Sequence, residues 1–315
     1  MPKTYIIGHT QPDTDSAVAA LALEYLYKQK KCFKYLDPQA VTASPINAET
    51  QYLFDRFGVT PPTVISAQDI SPQDNVVLVD HNEATQRLPG LNEAQIVDVV
   101  DHHKANLSLP APIYMTFKAW GSSSTIAHYL MEQNQVKPDK KLAGLMLSAI
   151  LSDTVGFKSS TTTDRDKEVG QKLAKLAGLD DVDALTLDIF KAKSDTSNLT
   201  IDQLATKDHK VFEFNGQKIF INQIETVEPN QILEDKRSKL MPALEKLRQE
   251  MKLDLVFVAV TDILQVNTKL LLPSDQEIKV AQKAFGGQVS NNILDIGPKL
   301  SRKKEIAPAI EQALA

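Results

Sequence analysis

The sequence predicts an α/β protein. An N-terminal doubly wound domain carries a largely parallel sheet, and a smaller C-terminal α/β domain carries a mixed sheet. Three observations predict it. Short β-branched runs alternate with helical patterns through the first 190 residues, the rhythm of βαβ units with helices on both faces of a sheet. A polar, turn-rich stretch at 194–198 then interrupts the pattern, and an Asn215-Gly216 hairpin signal follows it. Finally, 315 residues exceed the roughly 250–300 at which a single core stops growing. The predicted division is 1–190 for the first domain, 191–197 for a linker and 198–315 for the second domain.

The elements follow from local patterning. Residues 4–9 read as a buried strand and 15–29 as a helix, with Val18, Leu21, Ala22, Tyr25 and Leu26 on one stripe. Residues 47–57 form a second helix that Gly58 stops at its C-cap. Residues 75–80 and 96–100 are apolar strands that run into Asp-His, and 112–118 is another strand. Helical patterns follow at 123–135, 140–151, 164–177 and 182–192. In the second domain, strands 211–214 and 217–224 flank a type I′ turn at Asn215-Gly216. A helix at 241–251 presents Leu244, Leu247 and Met251 on one face, with Pro242 in its first turn. Strands at 253–260 and 269–272 and a helix at 275–285 complete the pattern.

Composition excludes several classes. With 35 Lys+Arg against 40 Asp+Glu the net charge is −5, which argues against a nucleic-acid coat or a polybasic membrane surface. A lone Cys32 permits no intrachain disulfide, zinc ribbon or thiolate cluster. No run approaches the roughly 20 apolar residues of a membrane span, and no basic-then-apolar leader opens the chain. A reduced, cytoplasmic location is expected. Cys32, Trp120 and His128 read as packing or structural residues.

The chemistry concentrates in four short segments, each at a strand or helix end: 8–16, 79–83, 100–103 and 151–154. Four of the six histidines (His9, His81, His102 and His103) lie there, beside Asp13, Asp15, Asp80, Asp101 and Asp153. In an open parallel sheet the carboxyl ends of the strands line one crevice, so these segments can converge. Carboxylates with a few imidazoles and no thiolate suit a borderline divalent ion such as Mn²⁺ or Co²⁺. His9, Asp13 and Asp15 are too closely spaced for one ion to take every side chain. Two ions roughly 3.5–4 Å apart with a bridging carboxylate fit better. An EF-hand does not, because Val18 stands where that loop needs glycine. Each segment alone has a plainer reading: Asp15 and Ser16 as a helix cap, Asp-His as a turn, Asp153 as a hydrogen-bond acceptor. Likewise Ser122–Ser124 can cradle phosphate or cap a helix, and residues 301–304 can be a solvated turn.

Taken together, Gly8-His9-x-x-Pro12-Asp13-x-Asp15-Ser16, Asp80-His81-Asn82-Glu83, Asp101-His102-His103, Ser152-Asp153-Thr154 and Ser301-Arg302-Lys303-Lys304 resemble the DHH phosphoesterase superfamily. Within it they resemble the manganese-dependent family II inorganic pyrophosphatases, over essentially the whole chain. The resemblance implies that His9, Asp13 and Asp80 hold one metal, and that Asp15, Asp80, His102 and Asp153 hold the other, Asp80 bridging. It implies two Mn²⁺ (or Co²⁺) per subunit, with an additional Mg²⁺ brought by the substrate. His103 would contact substrate, with His81 and Asp101 as supporting partners rather than ligands. Lys210, Arg302 and Lys303 would bind phosphate from the second domain, with pyrophosphate held between the domains.

The expected reaction is hydrolysis of pyrophosphate to two orthophosphates by in-line attack of a water activated between the two metals. The expected assembly is a homodimer, with neither nucleic acid nor membrane as partner. Another DHH phosphoesterase, acting on short polyphosphate or a small nucleotide phosphodiester, is the alternative. Few aromatics for base stacking (6%) and the presence of Ser-Arg-Lys-Lys speak against it. A fold that kept the metals and lost turnover is a further alternative, and the complete set of ligands and cations speaks against that.

Overall fold

The computed structural model describes residues 2–30, 35–196 and 199–315; Cys32, Ser197 and Asn198 fall outside them. The chain divides into two compact units, Met1–Ala192 and Lys193–Ala315.

In the first unit, strands β1 (Thr4–Ile7), β2 (Pro38–Thr42), β3 (Thr63–Val64), β4 (Asn75–Val79), β5 (Ile96–Asp101) and β6 (Tyr114–Phe117) form one sheet in the order β3-β2-β1-β4-β5-β6. Every pairing is parallel. The order reverses between β1 and β4, which opens a crevice at their carboxyl ends. Period-two alternation sends Ile6, Val77 and Val79 to one face and Tyr5, Ile7, Val76 and Leu78 to the other.

The first face packs against helices α1 (Thr14–Gln29), α2 (Ala48–Phe57), α3 (Ser123–Gln133), α4 (Lys140–Asp153), α5 (Asp164–Ala177) and α6 (Val182–Ser194). Helices α1 and α4 are buried on nearly every side, so Leu23, Ala19, Leu145 and Ile150 reach full burial beyond any single stripe. The expectation of helices on both faces does not hold. The apolar cluster on the second face contains no α-helical residue, because the connection after β4, with 3₁₀ turns at Ala84–Gln86 and Glu93–Gln95, and the connection after β5 are loops, which contribute Leu88, Leu91 and Leu107.

The second unit holds α7 (Ile201–Ala205), β7 (His209–Phe214), β8 (Gln217–Thr226), α8 (Arg237–Met251), β9 (Leu255–Asp262), β10 (Asn267–Leu271), α9 (Asp275–Phe285), β11 (Ile293–Asp295) and α10 (Ala307–Leu314). Its sheet runs β11-β10-β9-β8-β7 and is mixed: β8 and β9 are parallel and the other pairs antiparallel. Asn215 (φ 50°) and Gly216 (φ 78°) are both left-handed, as a type I′ hairpin requires. Helices α9 and α10 cover one face, while α7 and α8 cover the other.

Pro242 departs from expectation. Helix α8 starts at Arg237, entered through a π turn at Gln231–Asp235, so the proline lies inside the helix rather than in its first turn. Helix α6 likewise runs on to Ser194, into the stretch expected to be linker.

Candidate metal centre

Local sequence positions each side chain of the crevice. The chain leaves β1 through Gly8, where a Cβ would lie 1.8 Å from Ser16 Oγ, so only glycine lets α1 start this close to the strand end. Asp13, not Asp15, caps α1: its Oδ1 accepts the Ser16 N–H at 2.9 Å, and its Oδ2 stays 3.5 Å from His9 Nε2. Asp15, the second residue of α1, is fully buried, with its carboxylate at the amino end of α3. There it accepts the Ser122 hydroxyl at 2.7 Å and the Ser123 and Ser124 amides at 2.6 and 2.9 Å. Ser122 also caps α3, so these serines serve a carboxylate and a helix start together.

Asp80 follows β4 in a left-handed conformation (φ 61°), with its amide tied to the Val100 carbonyl at 3.0 Å. Aspartate tolerates this region better than a β-branched residue would. The turn aims its two oxygens in different directions. Oδ1 lies 3.3 Å from His102 Nε2, and Oδ2 lies 3.7 Å from His9 Nε2. His102 donates Nδ1 to the Trp120 carbonyl (3.0 Å), which turns Nε2 toward Asp80 and Asp153 as the nitrogen that a metal would take. Asp153 closes the set from the last residue of α4.

Ligand atoms of His9, Asp13 and Asp80 all lie within 4.8 Å of one another, as do those of Asp15, Asp80, His102 and Asp153. Asp80, His102 and His103 form a third such group. However, His103 Nδ1 sits 2.9 Å from Asp101 Oδ1 and 3.9 Å from Asp80, so that nitrogen is committed to Asp101. Half-exposed His103 therefore turns its other nitrogen outward. His81 donates Nδ1 to the Val79 carbonyl (2.9 Å), and burial pushes its pKa down to about 4.

The centre lines a cavity of about 570 Å³. Among the described residues lining it there is no lysine or arginine. Burial first, then repulsion from Asp15 and other aspartates, pushes the Asp80 and Asp153 carboxyls well above the usual carboxylate range. This set of carboxylate oxygens and imidazole nitrogens, crowded and without a compensating cation, fits a divalent ion of the Mn²⁺ or Co²⁺ type.

The remaining predicted residues belong to the second unit. Lys210 lies exposed on β7, and Lys303 lies exposed in a π turn at Arg302–Ile306. Arg302 donates to both the backbone carbonyl and the carboxylate of Asp208, the latter at 2.9 Å, which holds its guanidinium beside β7.

Sequence reasoning named Asp101 and His81 as supports but missed Asp166. Asp166, fully buried, accepts the Gly121 amide (2.9 Å) and the Thr125 hydroxyl (2.6 Å) while completing the capping box of α5 with Thr163. Thr163-x-x-Asp166 was a readable capping signal; its reach to Gly121 was not.

The chain resembles known proteins over nearly its whole length. A model of the DHH family N-terminal domain matches residues 3–150, and a DHHA2 domain model matches residues 187–313. The chain is 35% identical to a manganese-dependent inorganic pyrophosphatase of Methanocaldococcus jannaschii, covering 98% of each. It is 35% identical to one of Bacillus subtilis, covering 100% of each. A solved structure from Methanococcus jannaschii, described as a family II inorganic pyrophosphatase, superimposes with a TM-score of 0.62 at 34% identity, covering 98% of this chain and 99% of that one.

Proposed function

Because this chain belongs to the manganese-dependent inorganic pyrophosphatases, with a DHH and a DHHA2 domain, we propose that it hydrolyses pyrophosphate to two orthophosphates at the His–Asp centre of its first unit. The observation that carries the reading is Asp80, whose two oxygens face two different histidines. His9, Asp13 and Asp80 would hold one divalent ion; Asp15, Asp80, His102 and Asp153 would hold a second, with Asp80 shared. Manganese is the ion named for the relatives, and a further Mg²⁺ arriving with pyrophosphate is part of the same proposal. When bound, such ions supply Lewis acidity that brings water's pKa toward neutrality.

The side chains do the rest. Asp101 accepts from Nδ1 of His103, so donation from Nε2 to a phosphate oxygen uses the doubly protonated ring, whose charge that carboxylate balances. Arg302 recognises phosphate through its planar fork, while Lys210 and Lys303 add point charges that offset the anion. Asp208 supports this role by orienting the fork in advance.

A homodimer through the first unit belongs to the proposal. The edge strand β6 supports it, with Tyr114 75% and Met115 58% exposed. So does a cytoplasmic setting, supported by a single cysteine in the sequence. No helix among the described residues is long and apolar enough to cross a membrane.

The test supplies chelator-stripped protein, resupplied with Mn²⁺, with pyrophosphate and a dinucleotide in parallel, reading orthophosphate from the first and mononucleotide from the second. Release from pyrophosphate alone, abolished in Asp80→Asn, is the expected outcome. Cleavage of the dinucleotide with pyrophosphate untouched would overturn the reading.

A further inference from the structure

Helix α2 contributes no ligand to the metal centre, yet it places a carboxylate directly behind it. Glu49, in the first turn of α2, is only 4% exposed. Its Oε1 accepts the Thr14 hydroxyl at 2.7 Å and the Ser152 hydroxyl at 2.6 Å. Thr14 stands between Asp13 and Asp15 at the start of α1, and Ser152 immediately precedes Asp153 at the end of α4. A third hydroxyl, that of Thr50, lies 3.0 Å from Thr14 Oγ1; because Thr14 gives its proton to Glu49, Thr50 is the donor in that pair.

One oxygen atom therefore joins two helix ends that are distant in sequence, and each carries ligands of the same candidate ion. Asp15 is already fixed by three donors at the start of α3. Asp153, the last residue of α4, has no comparable set of amide and hydroxyl donors among the described residues; its carboxylate faces Asp15 and, at 3.8 Å, His102 Nε2. Glu49 supplies the tie that holds Asp153 at a set distance from Asp15.

We infer that Glu49 is a positioning residue: by accepting both hydroxyls on one oxygen it sets the separation of Asp15 from Asp153, and with it the affinity and geometry of the ion they share. The inference rests on the ligand assignment proposed above. Partners one step behind the ligands typically change metal affinity about 10–100-fold when removed.

The experiment combines Mn²⁺ calorimetry with the visible absorption of the Co²⁺-loaded protein, for wild type, Glu49→Ala, Glu49→Gln, Thr14→Val, Ser152→Ala and the Thr14→Val/Ser152→Ala pair. Glu49→Ala is expected to weaken Mn²⁺ binding about 10–100-fold and to shift the Co²⁺ bands. Glu49→Gln should stay close to wild type, because its amide oxygen can still accept both hydroxyls. Each hydroxyl variant breaks the tie by itself, so the pair should cost little more than the worse single change. These two variants also carry the test if Glu49→Ala does not fold. Wild-type affinity and spectrum in Glu49→Ala, full additivity of the hydroxyl variants, or equal losses in Glu49→Gln and Glu49→Ala would each overturn the inference. A wild-type protein that takes up no Mn²⁺ would overturn the ligand assignment and this inference with it.

Discussion

Replacing Asp101 with asparagine tests whether His103 works through its orientation. Asp101 is fully buried, and its Oδ1 accepts both the amide (3.0 Å) and Nδ1 (2.9 Å) of His103. Its Oδ2 accepts Asn82 Nδ2 at 2.6 Å. An amide of the same shape keeps one acceptor oxygen only. Turned toward His103, it sets its NH₂ against that of Asn82; turned the other way, it sets NH₂ against the His103 donors. Either way at least one charge-assisted hydrogen bond is lost, worth about 1.5–3 kcal/mol. At about 1.4 kcal/mol per factor of ten, turnover should fall about tenfold to a hundredfold. Asp101 presents no ligand atom to the clusters around Asp80, so Mn²⁺ affinity should hold. The assays are steady-state phosphate release and Mn²⁺ calorimetry on the same preparation. Unchanged turnover, or Mn²⁺ affinity falling in step with turnover, would refute the reasoning.

Burial pushes the Asp101 carboxyl up, but hydrogen bonds from His103 and Asn82 outweigh it and hold the group below the usual carboxylate range. That stabilisation is present above the unfolded carboxylate pKa and is lost as pH falls through the folded one. Asp101→Asn should remove this part of the acid sensitivity of folding.

Three further outcomes follow. Burial, with smaller contributions from Lys172 and Arg165, lowers the His128 pKa despite Glu132 and Glu168, so the folded protein resists a proton that the unfolded chain takes below about 6.5. Stability should decline as pH drops through that value, and His128→Phe should flatten the decline in urea titrations; an unaltered pH profile would contradict it. Fully buried Glu277 accepts from Arg248 (2.6 Å), the Val256 amide (2.8 Å) and Ser274, so Glu277→Ala should cost about 3–5 kcal/mol of stability, read as a lower urea midpoint. An unchanged midpoint would show that this network holds nothing together. Arg302→Ala should raise KM for pyrophosphate about tenfold to a hundredfold with Mn²⁺ binding intact, and Arg302→Lys should not restore it, since lysine lacks the fork. A wild-type KM would remove Arg302 from the site.

The parts of the molecule that obey a local rule were legible in sequence. The apolar, β-branched run at 75–80, the Gly58 stop and the Asn215-Gly216 turn each follow from one local rule, and the structure bears them out. Strand β2 was not legible, because Pro38-Gln39-Ala40 carries little β signature and draws its stability from pairing with β1. The loop-covered face of the first sheet escaped for a related reason: residues 81–95 and 102–113 have no period, yet they bury Leu88 and place Leu107 against the strands.

In the metal centre the ligand types could be read from their clustering at strand ends. Apart from Asp101 beside His103, the long-range supports could not. Glu49 reaches Ser152 across a sequence separation of 103, and Asp15 reaches Ser124 across 109, distances that no spacing rule covers. Asp13 illustrates the remaining ambiguity. Read in sequence, Asp-x-Asp-Ser is either a helix cap or a ligand pair; in the structure Asp13 caps with one oxygen and faces His9 with the other.

The central claim is that Asp80 joins two metal ions in one site. Electron paramagnetic resonance of the chelator-stripped protein, titrated with Mn²⁺ to two equivalents per chain, tests it most directly. The account predicts an exchange-coupled spectrum in the wild type that gives way to an isolated-ion pattern in Asp80→Asn. An isolated-ion pattern in the fully loaded wild type would contradict it.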